Sequence, residues 1–130
     1  MLESAGEDPR LEAIGHAVRS LGIPLERVDR EAIDRIIPIV NHQGVAALAT
    51  PYPYADIGVL ETVDHSMLAL DHLVDPQNVG TLLRTAEAFG VKTILIPKDR
   101  AAGITPAVVN SSAGAGEHLA IVRAVNLAPE

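Results

Sequence analysis

The sequence predicts an α/β fold arranged as two consecutive units. Short apolar runs alternate with segments whose apolar residues recur at helical spacing, in both halves of the chain. A proline-bearing, acidic stretch at residues 51 to 65 stands between the halves and reads as a linker. Apolar residues make up 48% of the 130, enough for a core, but only Tyr52, Tyr54 and Phe89 are aromatic. The core is therefore expected to be aliphatic, and the length suits one ordinary domain or two small ones.

In the first unit, residues 1–50, the opening MLESAGEDPR reads as a loop. RLEAIGHAVRSLG reads as a helix, with Leu11, Ile14, Val18 and Leu21 on one stripe and Gly22 at the C-terminal cap. IPLERVD is a short strand. Asp29 can cap the helix REAIDRII, whose stripe is Ile33, Ile36 and Ile37, and Pro38 stops it. NHQG is a turn and VAALAT a buried strand. This αβαβ order is that of a small α/β module without its first strand.

In the second unit, residues 66–130, SMLALDHL is a strand and VGTLLRTAEAFG a helix. Val79, Leu82, Leu83, Ala86 and Phe89 share the apolar side of that helix, and Gly90 caps it. VKTILIP is the next strand, parallel to the previous one by the crossover rule. TPAVVNSSAGAG reads as a helix fraying into a glycine-rich turn, and HLAIVRAV is a third strand. NLAPE opens an element with no continuation. Three strands and two helices leave one sheet edge and one face uncovered.

Composition excludes several function classes. The formal charge of −7 argues against a general polyanion-binding surface, so nucleic acid would need a local basic cluster or a partner's surface. Few aromatics argue against binding by base stacking. Without cysteine there are no disulfides or thiolate metal sites, and the five histidines lack ligand spacing, so no metal is expected. No apolar run reaches the ~20 residues of a membrane span, and the expectation is a cytoplasmic protein.

The stretch DPQNVGTLLRTAEAFGV, residues 75–91, raises the chemical question. Its loop lies at the carboxyl end of a parallel strand, where open α/β sheets bind ligands, and the helix N-terminus adds partial positive charge. Gly80, Arg84 and Ala88 recur every four residues away from the apolar stripe. Helical side chains lean toward the N-terminus, so Arg84 is expected to lean across Gly80 toward the Asp75–Asn78 loop. It either grips an anionic or polar ligand there or pairs with Asp71 and Asp75. Asp75 or Asn78 can also serve as a plain N-cap, with Pro76 at the first helical position.

LDHLVDPQNVGTLLRTAEAFGV resembles the first motif of the SpoU/TrmH (SPOUT) family of RNA ribose 2′-O-methyltransferases. The family pattern is an apolar strand, Asp-Pro-x-Asn-x-Gly, and a helix bearing Arg-Thr-Ala. Asp75, Pro76, Asn78, Gly80, Arg84, Thr85 and Ala86 follow it in order. IPKDRAAGITPAVVNSSAGAGEHLAIVRAVNLA is similar to the segment that comes next in the family. GIPLERVDREAIDRI and NHQGVAALATPYPYAD are similar to its N-terminal RNA-binding module. The likeness spans nearly the whole chain and is nearest to the branch that methylates a guanosine of 23S ribosomal RNA.

The resemblance implies an incomplete RNA-binding α/β module over residues 1–50, then the first part of a knotted, parallel-sheet methyltransferase domain. The knot-forming, S-adenosylmethionine-holding motifs of the family do not follow, so the chain reads as truncated at both ends and inactive alone. It also implies RNA as partner, S-adenosylmethionine as cofactor, and a homodimer for the family. Arg84 takes the family's catalytic arginine position. A guanidinium stays protonated, so a bidentate hold on phosphate or ribose suits it better than a general-base role. Asn78 orients the ribose or fixes its loop.

Lys98 and Arg100, at the same sheet edge, contact RNA phosphates or stand in a solvated loop. His42 and Gln43, in the family-like HQG turn, touch RNA or shape the turn. Ser111 to Gly116 favour close packing over ligand contact, and Glu117 and His118 sit at a strand entry. A non-catalytic RNA-binding or dimerising remnant is the alternative. A Rossmann-type enzyme is disfavoured because the strand–helix turn lacks GxGxxG.

Overall fold

A computed structural model describes residues 1–4, 8–38, 42–62, 64–125 and 127, with the backbone alone for residues 2–4. The chain divides into two units, Met1–Thr50 and Pro51–Glu130.

The first unit runs β1 (Leu2–Ser4), α1 (Pro9–Ser20), β2 (Glu26–Val28), α2 (Arg30–Ile36) and β3 (Val45–Ala46). Its sheet has the order β2-β1-β3, with β1 parallel to β2 and antiparallel to β3. Leu2 stands opposite both Glu26 and Ala46. The expectation of an opening loop and a missing first strand is thus corrected, because β1 is the central strand. Three residues are too few to display a period-2 pattern, and this strand forms through two distant partners.

Helix α1 begins where its chemistry predicts. The Asp8 carboxylate accepts the Arg10 backbone N–H at 2.9 Å, and Pro9 takes the first helical position. The Arg10 guanidinium also donates to Asp8, which holds that carboxyl below its ordinary range. At the other end Gly22, at φ +68°, donates to the Arg19 carbonyl, and Ile23 donates to that of Val18. These two bonds form a Schellman cap. Asp29 occupies the cap position of α2 but makes no side-chain capping bond. Strand β3 is shorter than expected: Ala47–Thr50 are exposed and Leu48 is wholly so.

The second unit runs β4 (Met67–Ala69), α3 (Pro76–Ala88), β5 (Thr93–Pro97), α4 (Pro106–Ser112) and β6 (Ala120–Ala124). The strands are all parallel in the order β4-β5-β6, with Leu68, Ile94 and Ile121 in register. Helices α3 and α4 pack on each other. Val79 and Leu83 from α3, Val108 from α4, and Ile94, Ile96 and Ile121 from the sheet form the centre of the core. Each such aliphatic side chain contributes roughly 1.5–3 kcal/mol by leaving water. Four of the five apolar residues assigned to the α3 stripe face inward to some degree, but Phe89 is 83% exposed. It is the C-cap residue, where the chain leaves the helix, and Gly90 follows at φ +76° with a second Schellman pair.

The expected linker is not a free connector. Ala55 donates to the Ile121 carbonyl at 2.8 Å and bridges to Val122, lengthening the sheet at the β6 edge. A 3₁₀ turn at Ile57–Thr62 then packs against β6. The β6 edge therefore carries a strap drawn from the preceding residues. The glycine-rich turn after α4 does not fray. Ala113 at φ +50° and Gly114 at φ +88° reverse the chain into a 3₁₀ turn, Ala115–His118, so β6 starts after His118. Most of the NLAPE tail, residues 126 and 128–130, lies outside the described residues, as does Asn41 of the NHQG turn.

Candidate functional site

Two loops leave the carboxyl edge of the second sheet: residues 70–75, from β4 into α3, and residues 98–105, from β5 into α4. Parallel sheets bind ligands at this edge. The loops are joined, because the Ala102 N–H donates to the Leu73 carbonyl at 2.7 Å.

Asp75 caps α3, accepting the Gln77 N–H at 3.1 Å, with Pro76 at the first helical position. Asn78, third in the helix, is consequently not needed as a cap. It is exposed, and its amide has no hydrogen bond among the described residues.

Arg84 is exposed and has no ion pair or hydrogen bond among the described residues. Asp71 is paired instead with His72, and Asp75 serves the helix cap. Thr81, Arg84, Thr85 and Ala88 form one helical stripe, which with Glu87, Phe89, Ser112 and Ala113 lines an open depression. The Thr81, Thr85 and Ser112 hydroxyls donate to carbonyls of their own helices, those of Gln77, Thr81 and Val109. The guanidinium is the donor left uncommitted there.

Gly80 is not the clearance expected for Arg84. It is buried on the α4 side, and a Cβ there would stand 1.9 Å from Ser111 Oγ and 2.7 Å from Ser111 Cβ. The missing side chain lets α4 approach. Ser111 in turn donates to the Pro76 carbonyl at 3.0 Å, holding the first turn of α3. Asn78, nearer the helix start, is not among the residues lining the Arg84 depression.

Lys98 and Arg100 are both exposed, and neither side chain has a partner among the described residues. Arg100 sits at φ +57°. Glu117 and His118 are exposed, and His118 lies 4.0 Å from Glu87.

His42 and Gln43, in the first unit, divide their roles. The His42 side chain is 1% exposed. Its Nδ1 accepts the Gly44 N–H at 3.0 Å, which leaves Nε2 to donate to Asp34 at 3.0 Å. Both ring nitrogens are committed, so of the two roles open to His42 the ring's own bonds serve the turn. Gln43 and Gly44, at φ +49° and +88°, form the tip, closed by a Val45 N–H to His42 carbonyl bond. The Gln43 side chain is exposed.

Sequence reasoning missed Tyr52, Tyr54 and Arg123. The Tyr52 hydroxyl donates to the Gly116 carbonyl at 2.7 Å. Burial raises its pKa, with smaller contributions from Glu117 and Tyr54. The Tyr54 hydroxyl accepts the Ile104 N–H at 2.8 Å, and its ring meets Tyr52 edge-on with centroids 5.2 Å apart. The Arg123 guanidinium stacks over Tyr54 at 5.2 Å, and its Nη2 donates to the Lys98 carbonyl at 2.5 Å. A signal was available: two of three aromatics in the whole chain fall in PYPY.

Residues 65–129 match the SpoU rRNA methylase family, and residues 1–55 match the RNA 2′-O ribose methyltransferase substrate-binding module. The chain belongs to the SpoU family. Among curated relatives, the 23S rRNA (guanosine-2′-O-)-methyltransferase RlmB of Xylella fastidiosa is 37% identical over 98% of this chain and 54% of its own length. The RlmB of Acinetobacter baylyi is 33% identical over 94% of this chain and 51% of its own. The SpoU methyltransferase AviRb from Streptomyces viridochromogenes, solved with AdoMet, superposes at a TM-score of 0.69. It shares 18% identity and is covered over 46% of its length, against 97% of this chain. At that identity the likeness speaks for the fold alone. The SpoU chain described here thus spans about half the length of these relatives.

The residues around Arg84 do not fit S-adenosylmethionine. That molecule needs an enclosed apolar slot for its adenine and acceptors for its ribose. The depression is open and encloses no such slot.

Proposed function

We propose that this chain supplies the RNA-reading and arginine-bearing part of a ribosomal RNA ribose 2′-O-methyltransferase that uses S-adenosylmethionine and works in the cytoplasm as a homodimer. A guanosine of 23S ribosomal RNA is the target that the RlmB likeness favours. Arg84 holds the phosphate or ribose beside the target hydroxyl through a two-pronged contact. Asn78 orients the ribose, and Lys98, Arg100 and Gln43 contact the RNA backbone. Positioning of this kind accounts for much of the rate in a reaction between two bound partners. On this reading the 130-residue chain alone performs no turnover, and S-adenosylmethionine is held outside the stretch described here.

The observation that carries this reading is the guanidinium of Arg84, exposed on α3 beside committed hydroxyls and without a partner among the described residues. Filter binding to a transcript of large-subunit ribosomal RNA tests it. R84A is expected to weaken binding about tenfold, and R84K to fall between, because an ammonium lacks the planar fork. Equal binding by wild type and R84A overturns it.

A second reading is a non-catalytic RNA-binding or dimerising remnant. Calorimetry with S-adenosylmethionine bears on this division of labour. No heat of binding is expected from this chain alone, and stoichiometric binding would count against both the remnant and the assignment of the cofactor elsewhere.

A further inference from the structure

We propose that Tyr54 and Arg123 are positioning residues that pre-shape the loop at residues 98–104 for RNA phosphate, an inference that rests on the RNA-contacting reading of Lys98 and Arg100. The loop is pinned at both ends by this one stacked pair. At its start the Lys98 N–H donates to the Ala124 carbonyl at 2.8 Å, and the Lys98 carbonyl accepts Arg123 Nη2 at 2.5 Å. At its end the Ile104 N–H donates to the Tyr54 hydroxyl at 2.8 Å. The guanidinium lies over the Tyr54 ring, so the two anchors brace each other. Gly103 fits beneath this hydroxyl; a Cβ there would stand 3.0 Å from the oxygen.

Two features set this apart from ordinary packing. Arg123 Nε is buried without a partner among the described residues. An unmet buried donor is destabilising, and an aliphatic residue would fill the place without that cost. The anchors also grip only backbone atoms of the loop, leaving the Lys98 and Arg100 side chains exposed and without partners among the described residues. A loop held by its backbone with its cations free is already ordered for an anion, so binding loses less conformational entropy.

The test is RNA affinity of the full chain against salt concentration, with the same ribosomal transcript. Y54F keeps the ring and its stacking but removes the acceptor for Ile104. It is expected to weaken binding about fivefold with the salt slope unchanged, because ordering is lost but no phosphate contact is. R123K, which cannot stack as a plane while reaching Lys98, is expected to behave alike. K98A and R100A should each flatten the log–log slope by about 0.7–0.9. Wild-type affinity in Y54F and R123K, with K98A and R100A still flattening the slope, overturns the positioning role and leaves the RNA contact standing. Unchanged slopes in K98A and R100A overturn the RNA contact, and the positioning role with it.

Discussion

The two units each carry a three-stranded sheet, yet different forces hold them. In the first, the buried apolar side chains described are Leu11, Val18 and Ile33, and a buried imidazole ties the turn before β3 to α2. Ile14, Leu21, Ile23 and Ile36 remain exposed. In the second, aliphatic residues from three strands and two helices meet in one continuous cluster, sealed by an aromatic strap. A thin core leaves a unit reliant on a few directed bonds, whereas a thick one relies on close approach. Loss of a hydrogen bond should therefore dominate in the first unit and loss of fit in the second.

The largest break is expected at Gly80→Ala. In an exposed helix this change would stabilise, but here the new methyl meets Ser111. Forcing α4 away from α3 should cost about 3 kcal/mol, read as a fall in the unfolding midpoint of the second unit with the first unchanged. A stabilised protein would show that the helices have room to part.

His42→Ala comes next. It leaves the Gly44 N–H and Asp34 without their partner and should cost about 2 kcal/mol. Amide exchange should rise across residues 42–46 and α2 while β5 stays protected. Unaltered exchange in the first unit would mean that its core, thin as it is, suffices.

Tyr52→Phe should do least. Losing the bond to Gly116 costs about 1 kcal/mol at neutral pH. Because burial raises the Tyr52 pKa in the folded chain, the unfolded chain ionises first. The hydroxyl's contribution is whole below about pH 10 and is lost as pH climbs through the folded value. Denaturation of both proteins between neutral pH and pH 11 should show the wild-type advantage shrinking; a constant gap would contradict it.

Much of this architecture was legible beforehand. Asp75-Pro76 at one end of α3 and Gly90 at the other mark its limits through purely local chemistry. So does Gly22 for the end of α1. The period of Val79, Leu83 and Ala86 identified the buried side. What was misjudged depended on remote partners. Leu2–Ser4 became the centre of a sheet through strands more than twenty residues away. Gly80 was read against Arg84, its neighbour one turn on, when its partner was Ser111 from another helix. The role of His42 stayed open between RNA contact and turn because Asp34 lies eight residues back. The exposed, unpaired state of Arg84 could not be read at all, since Asp71 and Asp75 offered equally plausible partners nearby.

By itself the sequence determined the alternation of helices and strands, their caps, the aliphatic character of the core and the likeness to the SpoU family. These follow from backbone preferences and side-chain periodicity, which act within a few residues. Only the tertiary structure decided that the PYPY segment straps the second sheet and that Arg123 and Tyr54 pin the cationic loop. Hydrogen bonds and stacking between residues twenty-five or more positions apart have no local signature, because the chain between them does not constrain which ends will meet.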